Sequence, residues 1–330
     1  MKPQSSLSIM ADIGGTNTRV ALASGLEVHT DTIRRFRNAD FSGLAEVLQS
    51  YLVEYSDAKP HAACAAIAGP VRDGKGTLTN LDWTIDRSLL QDATGAGVTS
   101  VINDLQAQGH ALEHLAPNSL RSVVSGQPAA PAAARLVVGV GTGFNAAPVY
   151  RTEAMTVIPP AEFGHADIPS STEASQDFAS HFAATNGFCS IEDALSGRGL
   201  GNIYRWLAER SGADDRKQAP EIMAACRDTS DPLAQQTVRF FAEVLGTVCG
   251  NLALSTLPFG GIYLVGGVSR AVYPYLADFG FAESLRAKGR FSEFMEQFPV
   301  HLVDDDYAAL TGMAALLNEL EFGPPDRGAE

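Results

Sequence analysis

An α/β fold is what the sequence predicts, on three observations. Short apolar runs of strand length at residues 62–67, 98–103 and 136–140 alternate with stretches whose apolar residues recur at helical spacing. Two turns rich in glycine and threonine, Gly14-Gly15-Thr16 and Gly141-Thr142-Gly143, each follow an apolar strand. The chain has 330 residues, 45% hydrophobic and 19% charged, which is enough to bury a full core and by length suggests two domains of ordinary size.

Residues 7–12, 20–23 and 28–34 read as strands joined in hairpins. The first connection is Asp12-Ile13-Gly14-Gly15-Thr16-Asn17-Thr18-Arg19. Its adjacent glycines let the backbone turn through positive φ and bring bare N–H groups against an anion, with Thr16, Asn17 and Thr18 adding donors. Asp12, ending the first strand, suits Mg²⁺ held through water. An ordinary two-residue hairpin turn explains Gly-Gly equally well at this level. Leu44, Val47, Leu48, Tyr51 and Leu52 then recur on one helical face, with Ser42 as the expected cap.

Residues 62–67 and 98–103 have the length of buried strands, and the second ends at Asn103-Asp104. A carboxylate at a strand end in an α/β fold faces the ligand crevice or caps the next helix, and both readings stand. The Ala/Pro-rich residues 127–134 read as a surface loop before the strand at 136–140. Helical patterns dominate from 173 to 257, strands return at 262–265 and 300–303, and Asp304, Asp305 and Asp306 precede a final helix over 307–320, where acids suit a helix N-terminus. Residues 244–269 carry no charge and are long enough to cross a bilayer. Asn251 and Pro258-Phe259-Gly260-Gly261 divide them into a helix ending near Ser255 and a strand at 262–265, so a buried helix-turn-strand is expected, with Gly246-x-x-x-Gly250 as a close helix contact.

The charge balance, 38 acidic against 24 basic residues and a net −14, disfavours nucleic acid or an anionic membrane as partner. A nucleotide is not excluded, because backbone N–H groups and Mg²⁺ bind phosphate without basic side chains. Cys64, Cys189, Cys226 and Cys249 lie far apart with no C-x-x-C pair, so reduced thiols and a cytoplasmic location are expected, and no signal peptide precedes Asp12.

Three local patterns point to other chemistry. In Gly139-Val140-Gly141-Thr142-Gly143-Phe144 the third glycine comes one residue early for a dinucleotide fingerprint, and residues 145–150 continue as a strand rather than a helix. A second phosphate loop like the first explains it better. Gly69-Pro70-Val71-Arg72-Asp73-Gly74-Lys75 resembles a Walker A loop, but Gly76 supplies no hydroxyl for Mg²⁺, and Asp73-Gly74 reads as a hairpin turn. His110-Ala111-Leu112-Glu113-His114 matches a zinc pattern that places two imidazoles one helical turn apart, and it is the main rival chemistry. Histidines on an exposed helix face are the structural alternative.

Taken in order, the segments resemble the bacterial glucokinase family within the sugar kinase, Hsp70 and actin superfamily. The resemblance covers almost the whole chain. It is carried by Asp12-Ile13-Gly14-Gly15-Thr16-Asn17, Thr79-Asn80-x-x-Trp83, Asn103-Asp104, residues 139–143, Glu162-x-x-His165, Glu192-x-x-Leu195-Ser196-Gly197, Gly250-Asn251-Leu252-Ala253-Leu254 and Gly260-Gly261-Ile262-Tyr263-Leu264-Val265-Gly266-Gly267.

The resemblance implies a two-domain actin-like ATPase (ribonuclease H-like) fold with a cleft between a small α/β domain, residues 1–108 plus 304–330, and a large one, residues 109–303. It implies ATP-dependent phosphorylation of glucose at the 6-hydroxyl, with ATP and Mg²⁺, in a cytoplasmic homodimer. Asp104 would be the general base. Asn80, Asn103, Glu162, His165 and Glu192 would hold the other sugar hydroxyls, each of which both donates and accepts hydrogen bonds. Gly14, Gly15, Thr16 and Asn17 with Gly141, Thr142 and Gly143 would cradle the phosphates, Asp12 would hold Mg²⁺ through water, and Gly266 and Gly267 would let backbone approach adenosine.

Phe163 and Asn145 depart from the family pattern, standing where these kinases usually have glycine, and Ala308-Ala309-Leu310-Thr311-Gly312 is looser than the usual Gly-Leu-Leu-Gly. The cysteine-rich zinc segment of the related repressor and kinase group is absent after His165, so no structural zinc is expected. Alternative readings are a kinase for mannose, fructose or glucosamine, and a non-catalytic sugar-binding or sensing protein of the same fold. Regulators of that kind carry a helix-turn-helix in front, whereas only 11 residues precede Asp12.

Overall fold

The apolar runs form strands of separate sheets, in a mixed α/β arrangement. The computed structural model describes residues 6–78 and 81–323. They fall into two units: unit 1 is Met1–Pro117, Arg151–Pro160 and Asp305–Glu330, and unit 2 is Asn118–Tyr150 and Ala161–Asp304. Residues 109–117 and 151–160, assigned to the larger domain by resemblance, thus pack with unit 1.

Unit 1 contains β1 (Leu7–Ile13), β2 (Asn17–Ser24), β3 (Glu27–Val28), β4 (Arg34–Arg37), α1 (Leu44–Glu54), β5 (Ala62–Ile67), β6 (Val71–Arg72), β7 (Lys75–Thr77), β8 (Thr84–Asp86), α2 (Arg87–Thr94), β9 (Val98–Asn103) and α3 (Asp104–Ala111). Its main sheet runs β3-β2-β1-β5-β9, with β4 also pairing β2. β1, β5 and β9 are parallel, and β1 and β2 form the first hairpin. Both faces of this sheet are covered, which is why β5 is apolar throughout rather than alternating. Ile9, Ala11, Ile13, Ala63, Ala65 and Ile67 face a core with α1 and α2. Met10, Cys64, Ala66 and Ile102 face the other way, onto Leu310, Met313, Ala314 and Leu317 of the final helix, Ala308–Phe322.

Two local expectations are corrected, and the hairpin turn expected at Asp73-Gly74 is borne out. Residues 28–34 form two short strands around a 3-10 turn at Thr30–Thr32, because Thr32 Oγ1 donates to the His29 carbonyl at 2.7 Å and accepts from Leu22 N–H at 3.1 Å, an alternative to the sheet ladder. The cap of α1 is Gly43 rather than Ser42, whose N–H and hydroxyl instead donate to the Glu46 carboxylate. Asp73 and Gly74 both adopt positive φ between β6 and β7, the backbone of a tight hairpin turn.

Unit 2 contains β10 (Leu120–Val124), β11 (Arg135–Val140) and β12 (Phe144–Arg151). The chain then runs through residues 151–160, with the two-residue strand β13 (Thr156–Val157), before rejoining unit 2 at Ala161. There follow α4 (Glu173–Asn186), α5 (Ile191–Ala194), α6 (Gly197–Arg210), α7 (Ala219–Arg227), α8 (Pro232–Thr256), β14 (Ile262–Val265), α9 (Gly267–Leu276), α10 (Phe281–Arg286) and β15 (Val300–Val303). The strand order within the unit is β10-β15-β14-β11-β12.

The uncharged stretch is the second half of α8 followed by β14, as expected. This helix is long and apolar enough to cross a membrane, but its apolar window is 72% buried within the protein. A Cβ on Gly246 or Gly250 would lie 2.3 Å from the Phe281 carbonyl or 2.4 Å from the Leu285 carbonyl, so the two glycines let α8 and α10 touch backbone to backbone.

Candidate active site

The first glycine turn spans residues 14–17, bounded by the pair Ile13↔Thr18, with Gly14 N–H donating to the Asn17 carbonyl at 3.0 Å. Neither Gly14 nor Gly15 adopts positive φ, contrary to expectation. A loop longer than two residues reverses the chain without it. A Cβ on Gly14 would make only an ordinary 3.5 Å contact with the Asn17 carbonyl, so the fold does not itself demand glycine there. Asn38, which sequence reasoning missed, holds this loop. It is 1% exposed, and its Nδ2 donates to the Gly14 carbonyl and its backbone N–H to the Thr16 carbonyl, while its Oδ1 accepts from Thr18 Oγ1, all at 2.8–2.9 Å.

Asp12 lies opposite Arg19 in the hairpin, with Oδ2 3.4 Å from a guanidinium nitrogen. Burial nevertheless raises the Asp12 carboxyl above its ordinary range, and the arginine only partly opposes this. A divalent cation would stabilise its ionised form. Mg²⁺ commonly takes one or two carboxylates and completes its shell with water and phosphate oxygens, so Asp12 fits that role. Among the described residues no group of three or more His, Cys, Asp or Glu is placed to hold a metal by protein ligands alone.

Asp104 is the first residue of α3, at the end of parallel strand β9. Its neighbour Asn103 is the cap: Asn103 Oδ1 accepts from Leu105 N–H at 2.8 Å, and Gln106 Oε1 accepts from Asn103 N–H at 2.9 Å, completing a capping box. Asn103 Nδ2 donates to the Gly69 carbonyl at 3.0 Å, which ties the strand end to the loop after β5. Gln106 Nε2 donates to the Ile158 carbonyl at 2.7 Å, anchoring the residue 151–160 segment to the same helix start. Asp104 Oδ1 accepts from Leu105 N–H at 2.8 Å. The helix-cap alternative for Asp104 is therefore replaced by Asn103.

The zinc pattern does not assemble. α3 ends at Ala111, so His110 and His114 do not lie one turn apart on a helix, and Glu113 pairs with Arg151 at 3.2 Å with both side chains largely buried. Burial, aided by the nearby His114 and Arg151, pushes the His110 pKa down to about 4.

In unit 2, the second glycine turn is one residue shorter than the first. Residues 141–143 lie between the paired Val140 and Phe144, and Gly141 N–H donates to the Gly143 carbonyl at 2.9 Å. A Cβ on Gly141 would meet nothing within 4 Å, whereas one on Gly143 would lie 2.4 Å from Glu192 Oε2. Gly141 thus leaves open space, and Gly143 makes room for a carboxylate. Glu192 is on α5, where Ser190 caps the helix. Its Oε2 accepts from Phe144 N–H at 3.0 Å and its Oε1 from Arg198 at 2.9 Å.

Glu162 precedes a 3-10 turn at Phe163–His165, and both Glu162 and His165 are exposed. The segment meets α5 through Ile191 N–H donating to the Ala166 carbonyl and a bridge between Asp167 and Ser190. A cavity of about 610 Å³ borders His165, Glu192, Arg198 and Arg205. Gly266 (φ +99°) caps α9, and a Cβ there would lie 2.4 Å from the Val140 carbonyl, while Gly267 faces open space. Unit 2 thus holds Gly141, Thr142, Gly143, Glu162, His165, Glu192, Gly266 and Gly267, and unit 1 holds Asp12, Gly14, Gly15, Thr16, Asn17, Asn103 and Asp104. Asn80, the remaining sugar-binding candidate, and Thr79 lie outside the described residues.

Comparison with known proteins points the same way. A family model described as Glucokinase matches residues 9–320. The glucokinase of Marinobacter nauticus is 34% identical over 315 residues, covering 95% of this chain and 98% of the relative. A crystal structure of glucokinase from an Antarctic psychrotroph superposes with a TM-score of 0.85 at 30% identity, covering 96% of this chain and all of that one. The ROK family glucokinase from Streptomyces griseus, solved in complex with glucose and AMPPNP, shares the fold at 18% identity and a TM-score of 0.64, over 95% of this chain and 100% of that one. The chain belongs to the glucokinase family and is a sugar kinase that phosphorylates glucose.

Proposed function

We propose that the chain transfers the γ-phosphoryl group of ATP to the 6-hydroxyl of glucose with Asp104 as general base. The observation that carries this reading is the position of Asp104: a carboxylate on the first turn of α3, at the end of a parallel strand, with Asn103 rather than Asp104 serving as the cap. The sugar O6 attacks Pγ as the bond from Pγ to the β-bridging oxygen breaks, and the hydroxyl proton passes to an Asp104 carboxylate oxygen. The products are glucose 6-phosphate and ADP. In a loose phosphoryl-transfer transition state the proton leaves late, so positioning and charge neutralisation carry most of the catalysis.

The open space beside Gly141 and Gly267, and the absence of any internal demand for glycine at 14, support close approach of a nucleotide to bare backbone. Asp12 would hold Mg²⁺, which when bound neutralises phosphate charge. Asn103, Glu162, His165 and Glu192, with Asn80, would hold the sugar. Their alternating donors and acceptors suit a neutral polyol, and glucose is the favoured hexose over mannose, fructose or glucosamine. A comparison of kcat/KM across these four sugars tests that preference.

Replacing Asp104 by Ala or Asn is expected to lower kcat by about 10²-fold or more. Near-normal turnover in both variants would defeat the mechanism. Four free, buried cysteines support residence in a reducing cytoplasm, and the family resemblance supports a homodimer, which sedimentation analysis would check.

A further inference from the structure

The two family departures, Asn145 and Phe163, are bonded to each other. Asn145 Oδ1 accepts from Phe163 N–H at 3.0 Å and from Ala146 N–H at 2.8 Å. Its Nδ2 donates to the Ala161 carbonyl at 2.6 Å and lies 3.4 Å from Glu162 Oε2. One amide therefore grips the backbone on both sides of Glu162 and presents its positive edge to that carboxylate. The residue before it completes the arrangement. Phe144 N–H donates to Glu192, and a Cβ on Gly164 would fall 2.0 Å from the Phe144 carbonyl, so the residue 162–165 segment lies directly on this strand. The two residues that follow the Gly141-Thr142-Gly143 loop thus hold both candidate sugar carboxylates of unit 2.

We propose that Asn145 is a positioning residue that couples glucose binding to nucleotide occupancy of the 141–143 loop. A nucleotide that orders this loop fixes the start of β12, and Asn145 passes that order to Glu162. Glucose, by fixing Glu162, orders the loop in return, since coupling between two ligands is reciprocal. With glycine at 145 no side chain could make this link. The inference rests on residues 141–143 as a phosphate loop and on Glu162 as a sugar ligand.

The test is the glucose Kd measured by calorimetry with and without saturating Mg²⁺ and AMPPNP, for the native chain and for N145A, N145G, N145D and E162Q. In the native chain the nucleotide is expected to tighten glucose binding about fivefold or more, and in N145A and N145G to change it less than about twofold. N145D keeps the acceptor for Phe163 N–H but turns a carboxylate oxygen toward the Ala161 carbonyl and Glu162. Its glucose KM is therefore expected to exceed that of N145A, by about tenfold over native, with kcat within about threefold.

A role in folding alone would not rank N145D below N145A in sugar affinity while sparing kcat. Native-size coupling in N145A and N145G, or no coupling in the native chain, overturns the inference and leaves the site reading in place. Unchanged glucose affinity in E162Q overturns the site reading and the inference with it.

Discussion

Gly312 sits in the final helix against α3, and replacing it by alanine tests how Asp104 is held. The added Cβ would fall 1.7 Å from the Ala107 carbonyl oxygen, 2.8 Å from its carbon and 2.9 Å from the Ala111 nitrogen. All three are backbone atoms of α3 or its end, so no side chain can rotate away. Relief requires the two helices to part by about 1.8 Å at this point, given normal contact distances of roughly 3.5 Å. Parting them loosens the packing of Leu310, Met313 and Ala314 against Met10, Cys64 and Ala107.

Alanine gains about 1 kcal/mol over glycine in helix propensity, while overpacking a well-filled contact costs about 1–3 kcal/mol, here at the upper end or beyond because backbone opposes backbone. The net expectation is a loss of about 2 kcal/mol, or roughly 1 M in urea midpoint. The chain has two tryptophans. Trp83 packs in the core of unit 1 and Trp206 in that of unit 2, so fluorescence in a W206F background reports on unit 1. The same displacement moves the start of α3, and kcat should fall by about tenfold or more, since a misplacement near 1 Å in a catalytic constellation is felt strongly. A midpoint equal to or above that of the unsubstituted chain, the result helix propensity alone would give, refutes the reasoning.

The His110 imidazole, held down to about 4, makes unit 1 acid-sensitive. Above pH 6.5 neither folded nor unfolded chain carries this proton; between about 6.5 and 4 only the unfolded chain binds it, so stability should fall by up to about 1.4 kcal/mol per pH unit, and H110Q should flatten that limb in urea titrations from pH 7.5 to 5. Burial pushes the Cys64 thiol far above its ordinary range and those of Cys189 and Cys249 up to about 12. With Cys226 also buried, a thiol reagent at pH 8 should label the native chain slowly and all four sites in urea; fast labelling of the native protein would contradict this packing.

The elements read best from sequence are those buried on both faces. Ala62–Ile67 and Ile262–Val265 match their apolar runs to the residue because turn residues or charges bound each one. The misread stretch, 28–34, is half-exposed, and there a single threonine hydroxyl decided the backbone. The glycine turns were visible as motifs, but which glycines the fold itself requires was not. Gly143 and Gly266 are packed against a carboxylate and a carbonyl distant in sequence, while Gly141 and Gly267 are not. Asn38 was invisible for the same reason: its partners lie some 20 residues away in the first hairpin. Asn145 stood out as a departure, yet its bonds to residues 161–163 depend on a loop closure that no local pattern encodes.

The final helix has a consequence for how the protein is made. Met10, Cys64 and Ala66 are covered by residues 309–317, so one face of the first sheet cannot be sealed until nearly the whole chain has left the ribosome. At about 5–20 residues per second, that face waits roughly 15–60 s after its first strand emerges. Unit 2, complete at Asp304, has all its strands available earlier. The alanines on the waiting face, Ala21, Ala23, Ala62 and Ala66, present a less adhesive surface during that interval than leucine or isoleucine would, since each exposes little apolar area. A sheet closed last is thus lined by the residues that tolerate being open longest.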